Sequence, residues 1–131
     1  MIIEIIPNLH PLFVHFTVAL IATSAALFIF SRLFATKYQN ELSITAKWCL
    51  WLSGFTTVAT VSAGFYAYYT VGHDSPSHLV MKLHRNLALV SCLLIFTSIG
   101  FSLFSPSKLR FYTFIILSAL MVSVTAWYGG E

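Results

Sequence analysis

Four apolar runs separated by short polar connections make up most of the chain. Uncharged stretches cover residues 7–31, 48–72, 86–107 and 111–130. Each run is long enough to cross a bilayer as a helix, which takes about 20 residues. The pattern therefore predicts an all-α fold, an integral membrane four-helix up-and-down bundle that forms one domain over residues 1–131. The expected spans are about 11–34, 46–70, 78–104 and 109–128.

The composition places the chain among membrane proteins. Of its residues, 58% are hydrophobic and 8% are charged, whereas a soluble domain carries about 25% charged residues. The formal charge of +3 comes from Lys and Arg at span ends, where orientation signals lie. We therefore expect membrane lipid as a partner and no nucleic acid. No basic segment precedes the first run, so we expect that span to be retained.

Basic residues are unequally shared between the two ends of the spans. One end holds Arg32, Lys37, Lys47, Lys108 and Arg110. The opposite end holds Lys82 and Arg85. The positive-inside rule then puts both termini outside, in the periplasm for a multi-pass protein of a bacterial inner membrane. Every histidine would lie in the outer half.

Two histidines have the same predicted depth inside parallel helices. His15 follows Pro11 by about four residues and His84 follows His78 by about six, which places both roughly 6–9 Å inside the bundle. A buried imidazole needs partners for its donor and its acceptor. Two facing imidazoles can be the axial ligands of a haem b iron. Gly64 of the second helix reaches the same level and would leave room for the flat porphyrin.

The face of the first helix that carries His15 is the predicted inner face. It continues through Ala19, Ala22 and Ala26, small residues that allow close approach of a helix or a flat ligand. The opposite side, which includes Ile21 and Phe28, is expected to face lipid.

Four more residues near the outer end belong to this predicted site. Arg85 and Lys82 would pair with the haem propionates, although snorkelling to lipid headgroups explains them equally well. His10 and His78 would donate hydrogen bonds at the mouth of the site. Either of them could also ligate the iron in place of the first choices, His15 and His84.

Three motifs indicate a family. They are His10-Pro11-x-x-Val14-His15-Phe16, His84-Arg85-Asn86 and Gly129-Gly130-Glu131. Across nearly the whole chain the sequence resembles a bacterial four-helix membrane family of unknown function, whose members are similar in layout to small b-type cytochromes and are sometimes joined to cytochrome c domains. The resemblance implies electron transfer. Thr17 stands where that family usually has proline, and we expect this change to affect helix geometry alone.

The first functional hypothesis is a membrane-bound b-type cytochrome-like electron-transfer protein or subunit, with one bis-histidine haem near the periplasmic surface. It would be a non-enzymatic carrier or a subunit of an oxidoreductase complex. Its partner would be a soluble periplasmic cytochrome or a membrane oxidoreductase. A homo-oligomer and a hetero-oligomer both stay open.

Two alternative functions stay open beside electron transfer. The first is an outer-face site for a transition metal, built from His10, His15, His78 and His84 with Met81 or Asp74. The second is a non-redox accessory subunit of a larger membrane complex. The chain has no hydrolase signature such as His-Glu-x-x-His or Gly-x-Ser-x-Gly.

Overall fold

Four helices form an up-and-down bundle in the computed structural model, which describes residues 9–34, 37–70, 75–104 and 107–130. The helices are α1 (His10–Leu33), α2 (Gln39–Thr70), α3 (Ser75–Phe104) and α4 (Lys108–Gly129). This confirms the all-α prediction, and the described part of the chain contains no strand. α1 packs chiefly on α2 and α3 on α4, and the two hairpins meet along α1–α4 and α2–α3.

Two helices begin earlier than predicted. α2 starts at Gln39, so most of the polar connection expected over 36–43 is helical. An acidic residue, Glu41, lies in its first turn, where the helix dipole favours a negative charge. α3 starts at Ser75 rather than near residue 78, because a proline in the first turn leaves no internal hydrogen bond unmade.

Three helices, α1, α3 from His78 onward, and α4, are long and apolar enough to cross a membrane. α2 is more polar, yet it lies antiparallel along α1. The hydroxyls of Thr17 and Thr60 are 2.9 Å apart, and Ser24 donates to the Ala46 carbonyl at 2.7 Å. Because α2 packs along α1 over this length, α2 would cross the bilayer together with α1. The membrane span predicted for α2 therefore stays a prediction, which this packing supports.

Polar and apolar side chains are distributed in the bundle as they are in membrane proteins. Its centre contains fully buried serines, among them Ser53 and Ser118 at 0% exposure. Their hydroxyls donate to backbone carbonyls one turn earlier, and small side chains let helices pack closely. The outside carries large apolar side chains such as Phe55 and Phe104, which are 77% and 86% exposed. Such a surface suits contact with lipid.

The second hairpin repeats the first. Adding 74 to the positions of His10, Thr17, Ile21 and Ser24 gives His84, Ser91, Ile95 and Ser98. Adding 65 to the positions of Leu50, Ser53, Thr60 and Gly64 gives Ile115, Ser118, Thr125 and Gly129. Apart from the histidines, Thr60 and the two glycines, all of these residues are buried. Since α1 and α3 run in the same direction, the hairpins are related by a pseudo-twofold axis along the bundle.

A core substitution tests this packing. Leu50→Ala should lower the free energy of unfolding by about 2–3 kcal/mol, because Leu50 is fully buried and its loss leaves a cavity. Unfolding by denaturing detergent in mixed micelles measures the change. The control is Leu52→Ala, at a 50% exposed position, which should change stability by less than about 1 kcal/mol. Equal losses in the two variants would contradict the packing.

Candidate functional site

The imidazole rings of His10 and His84 lie against each other across the bundle. Their centroids are 6.0 Å apart and their planes are nearly perpendicular, at 83°. His10 is the first residue of α1 and His84 lies on α3, the helix diagonally opposite. Both side chains are half-buried. The two rings come from equivalent positions of the two hairpins.

Each ring is held by a backbone carbonyl of the other helix in its hairpin. His10 Nδ1 donates to the Thr60 carbonyl at 3.0 Å, and His84 Nδ1 donates to the Thr125 carbonyl at 2.9 Å. A carbonyl oxygen only accepts, so in these bonds the proton lies on Nδ1, and in the neutral form of each ring Nε2 carries the lone pair. Metal-bound histidines are usually oriented by such a second hydrogen bond.

A glycine one turn after each of these threonines makes room for the ring. A Cβ at Gly64 would lie 2.9 Å from His10 Cε1, and a Cβ at Gly129 would lie 2.7 Å from His84 Cε1. Both distances are shorter than van der Waals contact. The sequence placed Gly64 beside a porphyrin, whereas the structure places it against the histidine ring.

Hydroxyl pairs join the helices of each hairpin next to the rings. The oxygens of Thr17 and Thr60 are 2.9 Å apart, as are those of Ser91 and Thr125. Thr17 also donates to Thr56 at 3.1 Å. Thr17 was expected to affect helix geometry alone, and the structure corrects this, because its hydroxyl links α1 to the threonine whose carbonyl holds His10.

An apolar cavity of about 60 Å³, partly open to the outside, adjoins the histidine pair. Both hairpins contribute equivalent positions to its walls. The first contributes Val14, Val18 and Val61, and the second contributes Ala88, Cys92 and Ala126. Adding 74 or 65 to the first three positions gives the second three. The cavity therefore lies on the pseudo-twofold axis, between the hairpins.

The structure does not bring His15 and His84 together, so the predicted pair is corrected. His15 is exposed, and its Nδ1 donates to the Pro11 carbonyl of its own helix. Five residues separate it from His10, a rotation of about 140° around α1. His10 faces the bundle interior, and His15 therefore points away from it. The equal predicted depths of His15 and His84 were not enough to pair them, because depth does not determine the direction in which a side chain points around its helix.

The remaining predicted residues lie in the first part of α3. The guanidinium of Arg85 stacks over the Tyr68 ring at 5.2 Å. His78 is exposed, with its ring 6.1 Å from the same tyrosine. Lys82 is exposed as well.

The alternative transition-metal site has few ligands in this structure. The residues that the structure describes contain no group of three or more His, Cys, Asp or Glu side chains able to hold a metal. Met81 is half-buried on α3. Asp74 lies outside the described residues.

Comparison with known families gives a membrane assignment over almost the whole chain. A family described as "Predicted membrane protein (DUF2231)" matches residues 6–131. The chain belongs to this family. The membership confirms the membrane-protein part of the resemblance found in the sequence, and the cytochrome part stays a prediction for this DUF2231 member. No curated protein and no solved structure matches the chain.

Sequence reasoning missed several residues of the histidine pair's surroundings. They are Thr17, Thr60, Thr125 and Gly129. Of these, Gly129 was named only as part of a terminal motif. The signal that could have found them is the repeat. An offset of 74 pairs Thr17 with Ser91, and an offset of 65 pairs Thr60 with Thr125 and Gly64 with Gly129.

A glycine substitution tests the fit of the ring. Gly129→Ala should displace His84 from the Thr125 carbonyl and lower stability by about 1 kcal/mol, the contribution of one hydrogen bond. The imidazole Nδ1–H resonance of His84 in ¹⁵N-labelled protein reports the bond directly. In the control, Gly100→Ala, the new Cβ has no atom within 4 Å, so it should stabilise the helix by about 0.5–1 kcal/mol. An unchanged His84 resonance in Gly129→Ala would contradict the geometry.

Proposed function

We propose that the chain is a membrane-bound b-type cytochrome-like electron-transfer protein, or such a subunit of an oxidoreductase complex, with His10 and His84 as axial ligands of one haem b. The observation that carries the proposal is the pair of Nδ1-anchored rings 6.0 Å apart. His10 takes the place that the sequence assigned to His15.

The separation of the rings suits a shared iron. With iron–nitrogen bonds of about 2 Å on each side and a nitrogen roughly 1.1 Å from the ring centroid, two axial imidazoles have centroids about 6 Å apart. The observed value is 6.0 Å. The carbonyl bonds also support ligation, because they fix both the tautomer and the ring orientation.

The walls of the adjoining cavity suit an apolar cofactor. The cavity itself is small, at about 60 Å³, so the two hairpins would have to move apart to admit a porphyrin. Its walls are aliphatic, and on the second hairpin Ala88 and Ala126 replace the larger Val14 and Val61. The hairpins meet through fewer contacts than join the helices within each hairpin. A flat ligand between the hairpins would therefore disturb the least packing.

Haem b supplies one-electron chemistry when it is bound, and two protein ligands favour electron transfer over oxygen activation. In this proposal Gly64 keeps the His10 ring in place. Arg85 and Lys82 neutralise the propionates, and His78 offers a donor at the mouth of the site. A bare transition metal would receive two imidazoles here and would need further ligands, whereas a porphyrin supplies four nitrogens of its own.

The position of the pair indicates where electrons are exchanged. His10 is the first residue of α1, so the site lies close to one end of the bundle. With both termini in the periplasm of a bacterial inner membrane, the exchange partner is a soluble periplasmic cytochrome or a membrane oxidoreductase. The described histidines all lie toward this end, so the chain alone provides no path across the whole bilayer.

Histidine substitutions test the proposal. Protein purified with added haem should show a Soret band and, after dithionite reduction, a sharp α-band. His10→Ala and His84→Ala should each weaken haem retention by at least about tenfold, because each removes an axial ligand. The matched control, His15→Ala, should retain both bands at wild-type intensity.

Two results would contradict the proposal. Loss of the bands in His15→Ala with retention in His10→Ala would restore the pair that the sequence suggested. Protein that binds no haem but holds a stoichiometric metal, measured by elemental analysis, would favour the metal-site alternative.

A further inference from the structure

A second cavity lies at the opposite end of the bundle from the histidine pair, and its volume is about 470 Å³. Three helices each contribute one cation to its wall, namely Arg32 from α1, Lys47 from α2 and Lys108 from α4. All three side chains are exposed, so their charged groups can reach a ligand from the aqueous side of the cavity.

The charge of this cavity has one sign. Among the described residues that line it, none is Asp or Glu, so three formal positive charges share one concave surface. Lining of a single sign focuses the electrostatic potential and attracts a counter-ion. Neutral donors also line the wall, from Gln39 and Ser43 at the start of α2. They can supplement charge-assisted bonds to an anion.

The floor of the cavity is aromatic and firmly packed. Phe28 and Phe111 are 1% and 7% exposed, and their rings meet edge to face at 4.7 Å. The guanidinium of Arg32 lies 5.2 Å over the Tyr112 ring, which also lines the cavity. The three cationic side chains therefore surround a rigid aromatic floor.

We propose that this inner-end cavity binds the phosphate-bearing headgroup of an anionic phospholipid. Arg and Lys are the usual phosphate ligands in proteins, and basic pockets between transmembrane helices on the cytoplasmic side bind anionic headgroups. The rim is also suited to acyl chains. Leu33 and Leu109, the neighbours of Arg32 and Lys108 in sequence, are 71% and 78% exposed.

The positive-inside rule accounts for basic residues at this end without any binding site, and the chain offers a control for that explanation. Lys37 and Arg110 lie at the same end of the spans but do not line the cavity. Arg32→Gln/Lys47→Gln and Lys37→Gln/Arg110→Gln each remove two positive charges. They differ in whether those charges belong to the cavity.

The experiment counts lipids bound to the delipidated full chain in uncharged detergent, by native mass spectrometry, during titration with phosphatidylglycerol or phosphatidylcholine. The wild type should bind one phosphatidylglycerol with clear preference. The cavity variant should bind it roughly tenfold or more weakly, and the control variant should stay within about twofold of wild type. The charge-conserving Arg32→Lys/Lys47→Arg should retain binding, which separates loss of charge from loss of fold.

Other outcomes overturn the proposal. Equal weakening in the two charge-removing variants, or in neither, would show that the cavity has no role beyond surface charge. A parallel titration with inorganic phosphate distinguishes the source of the anion. If phosphate binds with the same dependence on the cavity cations and phosphatidylglycerol does not bind, the ligand is a free anion and the lipid assignment is wrong.

Discussion

The bond from a histidine Nδ1 to the carbonyl of a neighbouring helix is the interaction on which the candidate site depends. An imidazole in an apolar bundle must satisfy its donor and its acceptor, because little water is there to do so. The Thr60 and Thr125 carbonyls accept the two Nδ1 protons, which directs both Nε2 lone pairs toward other partners. The glycine one turn later lets each ring lie close to the helix that holds it.

Because the hairpins are equivalent, the same local arrangement occurs in each of them and forms both sides of the candidate site. Each hairpin supplies a ring, a carbonyl, a hydroxyl link and a glycine, and the two rings lie 6.0 Å apart with nearly perpendicular planes. The repeat is incomplete, and the differences concern size. Val14 and Val61 of the first hairpin correspond to Ala88 and Ala126 of the second. The cavity is therefore roomier on the second side, although the anchoring of the rings is the same on both.

The sequence was sufficient to predict the helices, but not to predict which histidine lies against His84. Uncharged runs predict helices well, because length and apolarity determine whether a segment suits a bilayer. They do not predict which side faces inward, since lipid and core are equally apolar. The alanine stripe that continues from His15 was expected inside, yet Ala19, Ala22 and Ala26 are exposed. Ile21 and Phe28, expected to face lipid, are 1% exposed.

The two candidate sites lie at opposite ends of α1. From His10 to Arg32 the helix rises about 33 Å, close to the roughly 30 Å thickness of a hydrocarbon core. The histidine pair and the cation-lined cavity would therefore meet opposite membrane faces. Anionic lipid bound at the inner face would hold the bundle in register with the bilayer, because Arg32, Lys47 and Lys108 come from three different helices. In the proposed electron-transfer role, that register would determine how far His10 and His84 lie from the membrane surface, and thus how closely a soluble electron donor or acceptor could approach them.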